Sequence, residues 1–152
     1  MKIGLTNGCF DMFHDGHHHY LARCKEGCDY LIVAINSDAS VQRLKGVARP
    51  RQEWRIRVEN VMETGLVDAV IPFEGRWEKL ALEMRPHVVF QGEEYRKEVG
   101  EGAAGHTVLG MRKIGWKEEG HGFDLVPILY IERLPGFSTS LQIDALTTKT
   151  NA

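Results

Sequence analysis

Apolar residues along this chain gather in short, nearly unbroken runs rather than in alternating ones. The runs cover Lys2–Thr6, Tyr30–Ile35, Ala69–Phe73, His87–Gln91 and Leu125–Ile131. Short continuous apolar runs predict strands buried on both faces. Helical segments are expected between them. The first is His17–Lys25, ended by Gly27. The second is Gln52–Thr64, with Val58, Val61 and Met62 on one stripe and Gly65 just after. The third is Trp77–Met84, closed by Pro86. Glycine past the last turn and proline beyond it are stop signals. Strand and helix alternate, which predicts an α/β class chain: a three-layer α/β/α sandwich around a parallel sheet. In such sheets ligands bind at the carboxyl ends of the strands, near the switch point.

The segment Gly92–Gly122 breaks the alternation. It carries half of the chain's 16 glycines and little sustained periodicity. A stretch of this length is expected to be a functional loop or lid. Its Thr107–Ile114 portion is expected to form a short helix. The polar residues Asp144–Ala152 are expected to fray.

At 152 residues the chain is expected to form one domain, 1–152, with enough length for a sizeable core. Its 43% hydrophobic and 26% charged residues mark a globular protein. A net charge of −2 argues against a nucleic-acid partner, which calls for a basic surplus. It leaves room for a small basic pocket. Three cysteines without dense spacing point to a reduced compartment. No run approaches the ~20 apolar residues of a membrane span. With no signal-peptide pattern at the N-terminus, a cytoplasmic protein is expected.

The chemistry concentrates after the first strand, in Thr6-Asn7-Gly8-Cys9-Phe10-Asp11-Met12-Phe13-His14-Asp15-Gly16-His17. Strand, tight turn and helix start follow in that order. A helix start offers unpaired N–H groups and a partial positive charge to a phosphate. His14 and His17 add donors there, Gly8 permits close backbone approach, Phe10 anchors the turn and Gly16 leaves room for a phosphate. His18 and His19 extend the run, but consecutive helical residues diverge, so no metal site is expected from it.

Further along, Lys45 in Arg43-Leu44-Lys45-Gly46 lies in a basic loop after Asn36-Ser37-Asp38, with Arg49-Pro50 following. Lysine suits a triphosphate as a mobile point charge. Arg57, in the second helical segment, competes with Arg55 for a role. Near the C-terminus, Arg133-Leu134-Pro135-Gly136-Phe137-Ser138-Thr139-Ser140 reads as a helix cap. It can equally present Thr139 and backbone N–H groups to β and γ phosphates.

His14-Asp15-Gly16-His17 resembles the HxGH signature of the cytidylyltransferase-like nucleotidylyltransferase superfamily. Within it, Asn7-Gly8-Cys9-Phe10-Asp11, Ala34-Ile35-Asn36-Ser37-Asp38-Ala39-Ser40, Arg43-Leu44-Lys45-Gly46 and Gly92-Glu93-Glu94-Tyr95 are similar to heptose 1-phosphate adenylyltransferases. Arg133-x-x-Gly136-x-Ser138-Thr139 and Val70-Ile71-Pro72 are more similar to glycerol-3-phosphate cytidylyltransferases. The resemblance implies a Rossmann-like fold, a requirement for Mg²⁺, and a homodimer. It implies His14, His17 and Lys45 as catalytic residues. It places Asn7, Gly8, Cys9, Phe10, Gly16, Gly92, Arg133, Phe137, Ser138 and Thr139 at the nucleotide, and Asp11, Asp38, Arg57 and Glu94 at the acceptor.

The reaction so implied is attack by an acceptor phosphate oxygen on the α-phosphorus of an NTP. The acceptor is a phosphorylated sugar or polyol, and it is already an anion. No general base or covalent intermediate is needed, so catalysis is positioning plus electrostatics. ATP with a heptose 1-phosphate-like acceptor is the main reading, and CTP with glycerol 3-phosphate is the alternative. A dinucleotide-dependent oxidoreductase needs G-x-G-x-x-G in the first turn, which offers Gly8 without a second glycine two positions on. A non-catalytic nucleotide binder on the same fold is the third reading.

Overall fold

The structure, a computed structural model, describes residues 1–92, 111–114 and 124–132. Strand β1 (Ile3–Gly8) leads through helix α1 (Asp15–Glu26) to β2 (Tyr30–Asn36). Helices α2 (Asp38–Lys45) and α3 (Trp54–Glu63) follow, then β3 (Ala69–Phe73) and α4 (Trp77–Met84). Strands β4 (Val88–Gly92), β5 (Met111–Ile114) and β6 (Asp124–Ile131) complete the order.

The sheet order is β3-β2-β1-β4-β6-β5. The first five of these are parallel, and β5 pairs antiparallel with β6 at the edge. The chain winds outward from β1 to β3, then returns to place β4 on the other side of β1. The switch point therefore lies between β1 and β4, the position where such sheets open a crevice for ligands. A side-chain bond spans it: Gln91 Nε2 donates to Asn7 Oδ1 at 2.8 Å.

The continuous apolar runs fill two cores, one on each face. Val33 and Ile35 of β2 pack with Val88 and Phe90 of β4 beneath Leu21 and Cys24 of α1 and Val61 of α3. On the other face Leu5, Ala34, Val89 and Ile128 pack against Ala81 of α4. Successive residues of one strand serve opposite cores, which is why these runs show no alternation. The expected Rossmann-like α/β/α arrangement is what forms.

Three expectations change. Lys45 sits on a helix, α2, rather than in a loop. Ser37 caps that helix, its Oγ accepting from the Ser40 N–H at 3.1 Å. With only Ser40 and Val41 buried, α2 lacks the apolar stripe that reveals a helix in sequence. Second, the expected helix over Thr107–Ile114 is corrected: Met111–Ile114 is strand β5. It pairs with β6 from Asp124 to Pro127, and β4 takes over from Ile128 onward. Pro127, which donates no N–H, stands where the pairing changes sides. A four-residue edge strand owes its form to its neighbour rather than to its own pattern. Third, α3 begins at Trp54 rather than Gln52, because Gln52 is held by the turn after β1, described below. The rest of the expected Gly92–Gly122 loop and the expected frayed end lie outside the described residues.

Candidate active site

The turn that leaves β1 is held in an uncommon backbone conformation. Phe10 and Met12 have φ of 50° and 56°, in the left-handed region that residues with a Cβ avoid. Each such residue costs of order 1–3 kcal/mol. Asp11, between them, supplies the compensation. It is wholly buried, and its carboxylate accepts from Arg49 Nε at 3.1 Å, the Arg51 N–H at 2.9 Å and the Gln52 N–H at 3.0 Å. Asp11 thus ties the turn to segment 49–52. Gly8 makes room for the same turn, since a Cβ there would stand 2.9 Å from Cε2 of the Phe10 ring.

His14 and His17 form a reciprocal cap on α1. His14 Nδ1 accepts from the Gly16 N–H at 3.0 Å, and His17 Nδ1 accepts from the His14 N–H at 3.2 Å. Both Nδ1 atoms are therefore acceptors, and the neutral rings carry their protons on Nε2. The rings stack, with centroids 3.9 Å apart and planes 20° apart. Phe10 and Phe13 flank His17 with ring centroids 5.5 and 5.3 Å away. Two parallel imidazoles, both set as Nε2–H donors, thus stand at the positive end of a helix. That geometry suits phosphate oxygens, whose charge grows as a phosphorus–oxygen bond breaks.

A second constraint comes from Arg57, which is fully buried on α3. Its Nε donates to Gln52 O at 3.0 Å, Nη1 to Cys9 O at 2.8 Å and Nη2 to Asp38 Oδ1 at 2.6 Å. The two residues expected at the acceptor, Arg57 and Asp38, hold each other and the turn. Arg57 acts here as a strut between the turn after β1, segment 49–52 and the start of α2. Asn36, buried at the end of β2, holds the same start through Nδ2 to Ser40 Oγ at 2.9 Å.

Lys45 ends α2, is exposed, and precedes Gly46 at φ 100°. Its charge reaches Cys9. Burial pushes the Cys9 thiol up, partly offset by the positive charges of Lys45 and Arg57, with Asp11 adding to the rise and Arg49 opposing it. A thiol raised in this way is a poor nucleophile, and the Cys9 carbonyl accepts from Arg57 Nη1.

The sequence marks Arg49 only as part of a basic loop. Its side chain is 12% exposed, and Nη2 is buried with no acceptor among the described residues. A buried donor without an acceptor costs about 1–3 kcal/mol. The Arg-Pro dipeptide after Lys45-Gly46 was the available signal, and it reads as an ordinary basic loop. The sequence marks neither Gln91 nor Phe13 as a site residue.

The structure brings together Asn7 and Gly8 at the end of β1, Cys9, Phe10, Asp11 and His14 on the turn after it, and Gly16 and His17 at the start of α1, with Asp38, Lys45 and Arg57 around them. Gly92 ends β4, beside β1. Glu94, Arg133, Phe137, Ser138 and Thr139 lie outside the described residues. Among the described residues no group of three His, Cys, Asp or Glu side chains is placed to hold a metal ion. The Asp11 carboxylate already accepts from Arg49 and two backbone N–H groups, and Asp38 from Arg57. This donor set offers no cage of its own to Mg²⁺, which commonly binds through one or two carboxylates plus substrate phosphates. Among the described residues no helix is long and apolar enough to cross a membrane.

A doubly wound parallel sheet with a capped helix N-terminus at its switch-point edge defines a Rossmann-like α/β protein. The chain belongs to the cytidylyltransferase-like family, which it matches over residues 5–143. It is 39% identical over 145 residues to a bifunctional protein HldE of Rhodopseudomonas palustris, covering 95% of this chain and 26% of that protein. Against the bifunctional protein HldE of Acidiphilium cryptum the identity is 36% over 150 residues, covering 95% and 27%. The chain thus spans about a quarter of the length of these relatives. Among solved structures it is similar to a lipopolysaccharide core biosynthesis protein from Thermoplasma volcanium, at 25% identity and a TM-score of 0.64. That match covers 88% of this chain and 98% of the other. A pantothenate synthetase from Thermus thermophilus, 14% identical with a TM-score of 0.50, shares the fold.

Proposed function

We propose that this chain is a nucleotidylyltransferase that moves NMP from an NTP to a phosphorylated sugar or polyol, releasing pyrophosphate. ATP and a heptose 1-phosphate-like acceptor are the favoured pair. The observation that carries the reading is the stacked His14–His17 pair at the N-terminus of α1, with both rings set as Nε2–H donors. Family membership and the relatives named HldE support it.

In this reaction an acceptor phosphate oxygen forms a bond to the α-phosphorus. The bond from that phosphorus to the bridging oxygen of pyrophosphate breaks. His14 and His17 hold the α and β phosphates and strengthen their hydrogen bonds as charge moves to the bridging oxygen. Lys45, on its mobile stem, meets the β/γ end. The left-handed turn and the Asp11 and Arg57 ties keep both histidines in place before substrate arrives, so little reorganisation is left for the reacting complex. The nucleotide enters as its Mg²⁺ complex, in which the metal offsets phosphate charge. A cytoplasmic homodimer is the assembly this reading carries.

Pyrophosphate release with ATP and with CTP, each against heptose 1-phosphate and glycerol 3-phosphate with Mg²⁺, tests the reading. Turnover with ATP and the sugar phosphate is expected. Turnover confined to CTP and glycerol 3-phosphate replaces the substrates and keeps the reaction class. Nucleotide binding with no release from any pair makes the chain a non-catalytic binder.

A further inference from the structure

The segment Gly46–Gln52 holds an arginine whose charge the fold uses only in part. Arg49 sits in a closed turn, its N–H donating to Gly46 O at 3.1 Å. Its side chain is mostly buried. Nε is fixed on the wholly buried Asp11 carboxylate at 3.1 Å. That single bond orients the planar group, and Nη2 is left buried without an acceptor among the described residues. Arginine presents a rigid fork of donors matched to phosphate and carboxylate oxygens. An inward-held fork with one edge unmatched is an unusual arrangement in a folded protein, where buried donors are nearly always paired.

Its position gives the missing acceptor an identity. Asp11, which fixes Arg49, lies three residues before His14 on the same turn. Lys45 and Arg49 both act on the Cys9 thiol, so both cations stand beside that turn. In the reaction proposed above, His14, His17 and Lys45 serve the nucleotide. The attacking group is a second anion that must approach a phosphate already rich in negative charge. A cation beside the turn offsets that repulsion.

We propose that Arg49 binds the phosphate of the acceptor through its guanidinium, with Asp11 as the residue that positions it. The proposal rests on the nucleotidyl-transfer reading for the identity of the anion. A phosphate oxyanion is the chemistry either substrate brings, and of the two Arg49 takes the acceptor's.

R49K keeps a cation against Asp11 and removes the fork, and R49Q removes the charge. The thermal midpoint without ligand is expected to stay near the wild-type value for R49K, which separates binding from folding. In R49K the KM for heptose 1-phosphate is expected to rise roughly tenfold or more, as befits a lost charge-assisted pair. The KM for ATP is expected to stay within about twofold, since uniform binding to the other substrate is untouched. A folded R49K with an unchanged sugar-phosphate KM overturns the proposal, and so does a rise confined to ATP. Inorganic phosphate supplies a readout that needs no turnover. It is expected to raise the wild-type melting temperature and to raise that of R49K and R49Q much less. Equal shifts in all three proteins, or none in the wild type, overturn the proposal even if no substrate pair turns over. A wild type that responds to phosphate through Arg49 yet releases no pyrophosphate sinks the reaction and keeps the site.

Discussion

Arg57 and Asp38 meet at 2.6 Å across 19 residues of sequence, with Arg57 wholly buried and the Asp38 side chain half exposed. The same guanidinium also donates to the carbonyls of Cys9 and Gln52. One side chain therefore fixes three segments that border the histidine pair. Replacing Arg57 by methionine takes this donor from two part-buried carbonyls and frees the start of α2. The expected loss is about 3 kcal/mol, a fall on the order of 10 °C in Tm. Asp38→Asn retains an acceptor and is expected to cost about 1 kcal/mol. Thermal melts of both variants check this, and equal losses would show that Arg57 acts mainly through Asp38.

Removing the His17 ring deletes one of the two Nε2–H donors and the acceptor that receives the His14 N–H. Turnover of H17A is expected to fall roughly 10²-fold or more, from the size of comparable donor losses. The far-UV spectrum should stay that of the wild type. Near-normal pyrophosphate release by H17A would remove His17 from the mechanism.

A side chain at position 8 crowds the turn after β1. A Cβ in Gly8→Ala meets the Phe10 ring at 2.9 Å, and Phe10 in turn packs on His17. Overpacking of this kind costs typically 1–3 kcal/mol. Gly8→Ala is therefore expected to lower both Tm and turnover. Chemical-shift changes at the His17 ring would report the displaced phenylalanine directly.

Lys25 and Asp68 join α1 to the loop before β3. The Lys25 ammonium at 2.6 Å, together with the Leu31 N–H at 2.8 Å, holds the Asp68 carboxyl below its ordinary value of 3.8. A carboxylate lowered on folding stabilises the native state above its unfolded pKa. That contribution disappears as pH falls through the lower, folded value. Both partners are about a third exposed, so solvent screens the pair and its contribution to stability is small. Asp68→Asn is expected to cost about 1 kcal/mol at pH 7. The gap between the two melting curves should close below pH 3.8 and hold steady from pH 5 to 7.

Burial pushes the Cys9 thiol up despite Lys45 and Arg57 nearby. Iodoacetamide at pH 7.5 is expected to modify Cys9 at least about tenfold more slowly than a free cysteine. Cys9→Ser should keep turnover within about threefold, because the carbonyl that accepts from Arg57 is kept. Peptide mapping and pyrophosphate release check the two statements, and fast labelling of Cys9 would contradict the first.

The sequence by itself determined the layered α/β fold and the place of its chemistry. Unalternating runs such as Tyr30–Ile35 are what two-sided burial demands, and they map onto β2 almost residue for residue. The strand–turn–helix order around His14 and His17 is local, so the capped helix start was legible too. What tertiary structure decided is pairing between distant segments. Strand β5 exists because β6 offers it an edge, and α2 because Ser37 caps it and the Asn36, Asp38 and Arg57 contacts hold its first turn. Asp11 and Arg57 are single polar residues in sequence. Only burial against Arg49, Gln52 and Cys9 makes them the framework of the site. Periodicity reports which faces are covered, but a buried polar contact between remote residues leaves no period behind. That is why Arg49 could be found only once the chain had folded onto Asp11.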